Sequence, residues 1–249
     1  MAWPLGALPV QRLPSKVCTC RRSRTPGARV VVLARRAQRL SDLVARIEKN
    51  GGRPLALAVD VADAVAVQSA ADQVAAELGG ADLLFNNAGV MLFNPAEAPA
   101  VGSWQREIDI NVKGLANVVV AFTPQLVRAA AEREVADLIN TSSVAAQSVL
   151  PAFAVYAGTK AYVSHLSRNL RAELGAKEVR VSVIEPGLVD TELQNHVGSD
   201  EVRAALKGAK QMLEWLTPQD IAETVGFVAS LPPRVNLPHI TVMPTGRPA

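Results

Sequence analysis

Short apolar runs alternate with longer segments of helical periodicity from Arg29 to the end of the chain. The short runs are rich in β-branched and other aliphatic residues, as buried parallel strands are, and the longer segments repeat apolar residues every three or four positions. The predicted strands are Arg29–Ala34, Pro54–Val59, Asp82–Phe85, Val135–Asn140, Val179–Ile184 and His239–Met243. The predicted helices are Gln38–Asn50, Val65–Leu78, Trp104–Ala130, Ala154–Leu174, Glu201–Trp215 and Pro218–Ser230. This alternation predicts an α/β fold with a single Rossmann-like, doubly wound parallel sheet.

The composition is that of a globular protein. A hydrophobic fraction of 49% with 20% charged residues excludes a disordered chain. No uninterrupted apolar run reaches the roughly 18 residues of a membrane-spanning helix, so we expect no membrane association. The two cysteines, Cys18 and Cys20, form neither a disulfide framework nor a metal site. They favour a reducing compartment, and we expect a cytoplasmic protein without a metal.

The net charge of +3 is unevenly distributed. Nine lysines and arginines precede Asp42, which is the first acidic residue, so the excess of positive charge lies at one end of the chain. A nucleic-acid-binding protein is expected to spread its basic residues over a face of the fold, and aromatic residues suited to base stacking make up only 4% of this chain. We therefore predict no nucleic-acid partner.

Polar or glycine residues follow five of the predicted strands. They are Ala34–Arg35, Asp60–Val61, Asn86–Gly89, Ser142–Ser143 and Glu185–Gly187. In parallel sheets ligands bind beyond the carboxyl ends of the strands, which all lie on one edge. Any one of these groups could be an ordinary turn, but the five together predict a crevice that binds a dinucleotide.

A tyrosine and a lysine are spaced for acid–base chemistry. Tyr156 and Lys160 lie four residues apart in a predicted helix, so they share one face. A free phenol has a pKa of about 10, and a neighbouring ammonium lowers it. Ser143, thirteen residues before Tyr156, adds a hydroxyl at the end of the preceding strand. By itself, a tyrosine and a lysine at this spacing could lie on any exposed helix surface. Together with the Ser143 hydroxyl at the end of the preceding strand, they predict a catalytic site.

These motifs, in this order and spacing, resemble the short-chain dehydrogenase/reductase family. The matching residues are Asn86–Gly89, Asn111–Gly114, Ser143, Tyr156 with Lys160, and Pro186–Thr191. The resemblance implies that Tyr156 exchanges a proton with the substrate oxygen while a hydride moves at a nicotinamide. It implies that Ser143 donates a hydrogen bond to that oxygen, and that Lys160 lowers the pKa of Tyr156 and holds the nicotinamide ribose. Asn111 would hold a water that links Lys160 to solvent. Ser142 is the less suitable candidate for this hydrogen-bond donor, because the spacing to Tyr156 in the family fits Ser143.

The end of the first predicted strand indicates the cofactor. Dinucleotide folds that prefer NAD place an acidic residue there, whereas this chain has Ala34 followed by Arg35 and Arg36. A guanidinium suits a 2′-phosphate, so we predict NADP rather than NAD, with Arg35 as the contact. Alternatively, both arginines simply begin a solvated helix. Further cofactor contacts implied by the resemblance are Asp60, Val61, Asn87, Ala88, Gly89, Pro186, Gly187, Val189 and Thr191.

The glycine-rich loop that begins this family is missing. It would lie near Pro9–Lys16, which contains two prolines and no glycine. We interpret residues 1–26 as an atypical segment that replaces the first strand, glycine loop and helix, and residues 27–249 as the dehydrogenase domain. The replaced unit is expected to be missing or disordered. A reading-frame error in the gene would explain the preserved length, and an arginine-rich transit peptide is the alternative.

The sequence says little about the substrate, except that the segments expected around it are mostly apolar. The resemblance places Met91–Phe93, Val149–Ala152 and Leu188–Val197 around the substrate, which suits a small or medium alcohol or carbonyl compound. The second half of the chain resembles an NADP-dependent subgroup that includes 3-hydroxy acid dehydrogenases and clavaldehyde-type reductases.

Two hypotheses about function and two about assembly remain open. One is an NADP-dependent oxidoreductase, and the other is an impaired or non-enzymatic relative that has lost cofactor binding with the glycine loop. The family's usual contact helices predict a homodimer or homotetramer. The residues that would supply this contact are Ala161, Val163, Leu166, Leu170 and Leu174. Alternatively, these side chains pack only on their own sheet.

Overall fold

The computed structural model describes residues 17–21, 29–193 and 199–246. Its strands are β1 (Val17–Arg21), β2 (Arg29–Ala34), β3 (Leu55–Ala58), β4 (Leu83–Asn86), β5 (Ala136–Thr141), β6 (Val179–Pro186) and β7 (His239–Val242). Its α-helices are α1 (Ala37–Lys49), α2 (Ala64–Leu78), α3 (Val101–Ile108), α4 (Leu115–Arg133), α5 (Ala154–Leu174), α6 (Asp200–Met212) and α7 (Pro218–Ser230). A π-helix, Asp109–Gly114, joins α3 to α4, and 3₁₀ turns lie at Val144–Ala146 and Gly175–Lys177.

All strands form one sheet in the order β3-β2-β1-β4-β5-β6-β7. The pairs β2–β3, β4–β5, β5–β6 and β6–β7 are parallel. The chain crosses from the β2–β3 side to the β4–β7 side, so the sheet is wound in two directions around β1. This confirms the predicted Rossmann-like α/β fold.

The central strand β1 runs in the opposite direction to its neighbours. Its first residue, Val17, pairs with Leu33 near the carboxyl end of β2, and Cys18 pairs with Phe85 of β4. The sequence analysis expected the family's first strand, loop and helix to be missing, and here an antiparallel strand occupies the position of that parallel strand. An antiparallel pair needs only a short connection, whereas a parallel pair needs a crossover of a dozen or more residues. The loop position Pro9–Lys16 lies outside the described residues.

Helices cover both faces of the sheet. On one face, α2, α4 and α5 bury Leu84 and Leu138 together with Phe122 and Val163. On the other face, α7 packs against Phe85 and its neighbours, and α1 packs against β2. Successive strand side chains therefore alternate between two apolar cores, which is the pattern of a doubly covered sheet.

Two of the side chains assigned to a subunit contact lie in the core instead. Val163 and Leu174 are buried, and Leu166 and Leu170 pack against the same cluster. Val163 and Leu174 therefore pack within their own chain, as the alternative expected, while Leu166 and Leu170 are only partly buried and the predicted subunit contact stays a prediction. Because one face of α5 carries the catalytic pair toward the crevice, the 3.6-residue repeat places Val163 and Leu174 on the face that packs against the sheet.

The continuous helical segment Val101–Arg133 is long and apolar enough to cross a membrane by length and composition. However, 56% of its most apolar window is buried inside the fold, as in the core helix of a globular domain. The sequence analysis found no such span because polar residues, among them Asn117, Thr123, Gln125 and Arg128, interrupt the apolar run.

Candidate active site

A deep crevice of about 1290 Å³ opens at the carboxyl ends of β4, β5 and β6. Nine of the residues predicted from the sequence line it: Asn87, Gly89, Ser143, Tyr156, Lys160, Pro186, Gly187, Val189 and Thr191. They come from three strand ends and one helix, and the parallel sheet brings them together because those ends share an edge.

The Tyr156 side chain is buried at the crevice, one helical turn into α5. The nearby Ser143 hydroxyl favours the ionised phenol and lowers its pKa. Burial has the larger and opposite effect, and the net result raises the pKa of Tyr156 to about 12. The sequence analysis expected this pKa to be lowered, and that expectation was wrong in sign because loss of hydration disfavours the phenolate.

The Lys160 side chain is buried in the same crevice wall. Its ammonium donates a hydrogen bond to the Thr141 carbonyl at 3.0 Å and lies 5.8 Å from the centre of the Tyr156 ring. Burial lowers the pKa of Lys160 to about 8. The predicted helical pairing of the two side chains is therefore present, with the ammonium held at the end of β5.

Asn111 lies in the π-helix between α3 and α4 and is buried. Its Oδ1 accepts a hydrogen bond from the Val90 amide at 2.9 Å, and its Nδ2 donates to the Val90 carbonyl and to the Thr159 hydroxyl. A side chain at Gly89 would place its Cβ 3.3 Å from Asn111 Oδ1 and 3.5 Å from Lys160 Nζ. Asn111 thus ties the strand end after β4 to α5, and the predicted water link remains a prediction.

The two neighbouring serines have different surroundings. Ser142 is buried and donates to the Lys160 carbonyl at 2.8 Å, and its hydroxyl oxygen lies 2.7 Å from that of Ser164. Ser143 accepts from the Ala145 amide at 3.1 Å and faces Tyr156. Both serines line the crevice, but the Ser142 hydroxyl is bonded to the helix that carries Lys160, so the choice of Ser143 as the catalytic hydroxyl remains a prediction.

Of the three arginines after β2, two line the crevice and one points away from it. Arg35 points to Asp60, with 3.7 Å between Nη1 and Oδ2, and is not among the residues lining the crevice. Arg36 and Arg39 line the crevice and both pair with Glu192, at 3.0 and 2.7 Å. The two guanidinium groups lower the pKa of Glu192, Arg36 first. The structure therefore brings Arg36, and not the predicted Arg35, to the crevice.

Three other predicted cofactor contacts lie away from the crevice lining. Asp60 accepts from the Ala62 amide and pairs with Arg35. Val61 is buried in the core beside Gly114, and Ala88 packs against the same core. The sequence placed them at strand ends, but their side chains turn toward the protein interior or along its surface.

A buried glutamate near Tyr156 was not predicted. Glu107 of α3 is 1% exposed, and its Oε1 accepts a hydrogen bond from the Leu92 amide at 2.8 Å. Burial raises the pKa of Glu107 to about 7, and its charge in turn raises the pKa of Tyr156. Its position one helical turn before Asn111 was the available signal.

A second buried glutamate supports the floor of the crevice. Glu185, at the end of β6, accepts from Ser164 at 2.6 Å and from Gln147 at 2.7 Å. Nε2 of His239 lies 2.8 Å from the same carboxylate. These bonds join α5, the turn after Ser143, and β7.

A family model described as short chain dehydrogenase matches residues 17–202 of this chain. The chain belongs to the short-chain dehydrogenase family. It is 36% identical over 230 residues to the NADP-dependent 3-hydroxy acid dehydrogenase of Escherichia coli K12, with 91% of this chain and 89% of that protein covered. It is 35% identical over 233 residues to a serine 3-dehydrogenase of Agrobacterium fabrum, with 92% and 89% covered.

Solved structures of short-chain dehydrogenases share the fold. A closed form of serine dehydrogenase in complex with NADP+ superimposes with a TM-score of 0.75 at 34% identity, covering 88% of this chain and 86% of that one. A serine dehydrogenase from Escherichia coli gives a TM-score of 0.71 at 31% identity, with 88% of each chain covered.

Proposed function

We propose that this short-chain dehydrogenase interconverts an alcohol and a carbonyl compound with NADP as cofactor, and that Tyr156 exchanges the proton. The observation that carries the proposal is that Ser143, the buried Tyr156 and Lys160 line one large crevice, with the Lys160 ammonium 5.8 Å from the centre of the Tyr156 ring. A surface tyrosine–lysine pair would have neither the burial nor the serine in the same crevice.

The crevice fits a nicotinamide dinucleotide phosphate. Arg36 and Arg39 supply two cations at one end, where a 2′-phosphate would lie. At the other end the Thr141 hydroxyl is buried and has no hydrogen-bond partner among the described residues, beside the Lys160 ammonium. A ribose hydroxyl would satisfy both groups. The bound cofactor supplies or accepts the hydride.

The chain's own residues handle the oxygen and the proton. We assign Ser143 as the hydrogen-bond donor to the substrate oxygen and Tyr156 as the acid that gives this oxygen a proton when an alcohol forms. In the opposite direction Tyr156 must first be ionised to accept the proton. Lys160 and Asn111 hold this wall of the crevice in position through Thr141, Thr159 and Val90.

The substrate part of the crevice is apolar. Met91, Val144, Leu150 and Phe153 line it near Tyr156, and Phe153 stacks edge-on against Phe93 at 5.8 Å. These side chains favour a small or medium carbonyl compound with an apolar body. The curated relatives favour a second candidate, a 3-hydroxy acid or serine.

A fluorescence titration with NADPH and NADH tests the cofactor, and a substrate panel tests the reaction. We expect saturable binding with preference for NADPH, followed by NADPH oxidation with an aldehyde or ketone. Benzaldehyde represents the apolar class, and the alcohols 3-hydroxypropionate and L-serine, tested with NADP+, represent the second candidate. If neither cofactor binds, the oxidoreductase hypothesis is rejected. The chain would then be the impaired or non-enzymatic relative, which has lost cofactor binding together with the glycine loop.

A further inference from the structure

Glu192 lines the crevice but has no role in the proposed reaction. One oxygen of its carboxylate lies 3.0 Å from Nη2 of Arg36, and the other lies 2.7 Å from Nη2 of Arg39. These are the two arginines that the proposed function assigns to the 2′-phosphate of NADP. The carboxylate therefore takes up guanidinium donors that the cofactor needs.

The two ion pairs connect parts of the chain that the sheet holds apart. Arg36 follows β2 and Glu192 follows β6, which is four positions further along the sheet. At about 4.8 Å between neighbouring strands, these two strands are on the order of 19 Å apart. The segment 187–193, every residue of which lines the crevice, extends back over the edge of the sheet to bring Glu192 to the arginines. The carboxylate thus reaches the phosphate end of the crevice from the opposite side.

The other acidic residue of this segment is directed elsewhere. Asp190 pairs with Lys210 of α6 at 2.6 Å, and its amide donates a hydrogen bond to the Leu216 carbonyl at 2.7 Å. The segment is therefore attached to the chain around α6 at Asp190 and to the arginines at Glu192. Of these two carboxylates, Glu192 is the one that meets the proposed phosphate site.

Glu192 meets the arginines as an anion. Hydrogen bonds from Arg36 and Arg39 lower the pKa of its carboxyl group, so the group is ionised at neutral pH. All three side chains are about half exposed, so the two ion pairs are weak and open to exchange. A phosphate monoester carries about −1.5 to −2 charges at pH 7 and three acceptor oxygens. A 2′-phosphate can therefore replace the carboxylate, whereas a ribose hydroxyl cannot.

We propose that Glu192 is a specificity-determining residue that occupies the place of the 2′-phosphate until NADP displaces it. The inference rests on the proposed function. NADP must separate Glu192 from Arg36 and Arg39, and it leaves two anions near each other, so Glu192 weakens its binding. NAD has no 2′-phosphate and leaves the ion pairs intact. Glu192 thus reduces the preference for NADP that the two arginines create.

Glu192→Gln tests this role because it keeps the size of the side chain and removes its charge. In a fluorescence titration the variant should bind NADPH about fivefold more tightly than wild type, with NADH binding unchanged. Calorimetry with adenosine 2′,5′-bisphosphate, which has the 2′-phosphate but no nicotinamide, should show the same gain, and adenosine 5′-monophosphate should show none. Glu214→Gln is the matched control and should change none of these affinities. It removes the same charge from an exposed residue that is not among those lining the crevice.

A double-mutant cycle separates competition at the arginines from a general effect of charge. When Arg36 and Arg39 are both replaced by alanine, adding Glu192→Gln should no longer change the affinity for NADPH, because the donors for which carboxylate and phosphate compete are gone. An electrostatic effect acting from a distance would persist in that background. A gain of the same size with and without the arginines would overturn the proposal.

The inference and the proposed function fail in different ways. If wild type binds NADPH and Glu192→Gln binds it equally or more weakly, the inference is wrong and the proposed function stands. If NADPH binds to neither protein, both are wrong. If the variant gains affinity for NADPH but neither protein reduces any carbonyl compound, the inference is supported and the proposed reaction is wrong.

Discussion

The two ends of the crevice are built differently. At the catalytic end, Ser143 follows the parallel strand β5, and Tyr156 and Lys160 are buried on helix α5. Lys160 is bonded through its carbonyl to Ser142 and through its ammonium to Thr141. At the other end, the neighbour of β2 in the sheet is the antiparallel strand β1, and the nearest charged groups, Arg36 and Arg39, are half exposed and pair with Glu192. The tyrosine and lysine proposed for catalysis are therefore buried beside parallel strands, whereas the arginines proposed for the cofactor are half exposed beside an antiparallel one.

This difference separates catalysis from cofactor affinity. Buried hydrogen bonds at the catalytic end have no competing water, so they fix geometry strongly. Exposed ion pairs at the opposite end contribute little and are easily exchanged for another anion. We therefore expect mutations at the catalytic end to act on turnover and mutations at the opposite end to act on binding.

The largest effect is expected from Tyr156→Phe. Loss of the proton donor should lower turnover by about 10²–10⁴-fold, the usual contribution of general acid–base catalysis, while NADPH affinity changes little. Steady-state NADPH oxidation and fluorescence titration measure the two quantities. Tyr162→Phe, on the same helix but exposed, is the control. A variant that binds NADPH poorly would break the separation.

The two serines sharpen the same comparison within one end. Ser143→Ala should lower kcat by about 10²-fold because the hydrogen bond to the developing oxyanion is lost. Ser142→Ala should instead lower stability, because the Ser142 hydroxyl is buried and bonded to Lys160 and Ser164. Urea unfolding and kcat together distinguish them, and equal effects on kcat would contradict the assignment.

Glu107→Gln should alter the pH dependence of stability. Because the folded pKa is raised from 4.5 to about 7, the folded chain holds its proton more tightly, and stability falls as the pH rises between these values. The variant has no such proton and should gain about 3 kcal/mol relative to wild type across that window. Urea unfolding at several pH values measures this, with exposed Glu97→Gln as the control. A constant difference would argue against a buried titrating carboxyl.

The smallest effect concerns the arginines after β2. The double replacement of Arg36 and Arg39 by alanine should weaken NADPH binding about tenfold and leave NADH binding unchanged, since each of two half-exposed charge pairs contributes up to about 1 kcal/mol. Arg35→Ala, which removes the pair with Asp60, should change neither. If Arg35→Ala alone weakens NADPH binding, the sequence-based choice of Arg35 was correct.

Local patterns were enough to predict the catalytic end. Tyr156 and Lys160 lie one turn apart in any helix, and Ser143 follows a strand that its β-branched and aliphatic residues specify. These relations depend on neighbours in sequence, so folding preserved them. The same holds for the polar residues at the ends of β4 and β6.

Other features depend on tertiary structure. The direction of β1 is set by partners far along the chain, and the prolines of the N-terminal segment led us to expect no strand there. The choice between Arg35 and Arg36 depends on how α1 is rotated after β2. The sign of the Tyr156 pKa shift and the raised pKa of Glu107 depend on burial, which spacing alone does not give.

Strand β1 also has a mechanical consequence. Within the sheet it is the only described strand that joins β2 and β3 to strands β4 to β7. A dinucleotide bound between Arg36, which follows β2, and Tyr156, which lies beyond β5, would contact both parts of the sheet and link them non-covalently. A bound ligand should therefore stabilise the arrangement of the two parts of the sheet. We expect the cofactor to raise the Tm of this protein more than it would raise the Tm of a relative whose central strand is parallel.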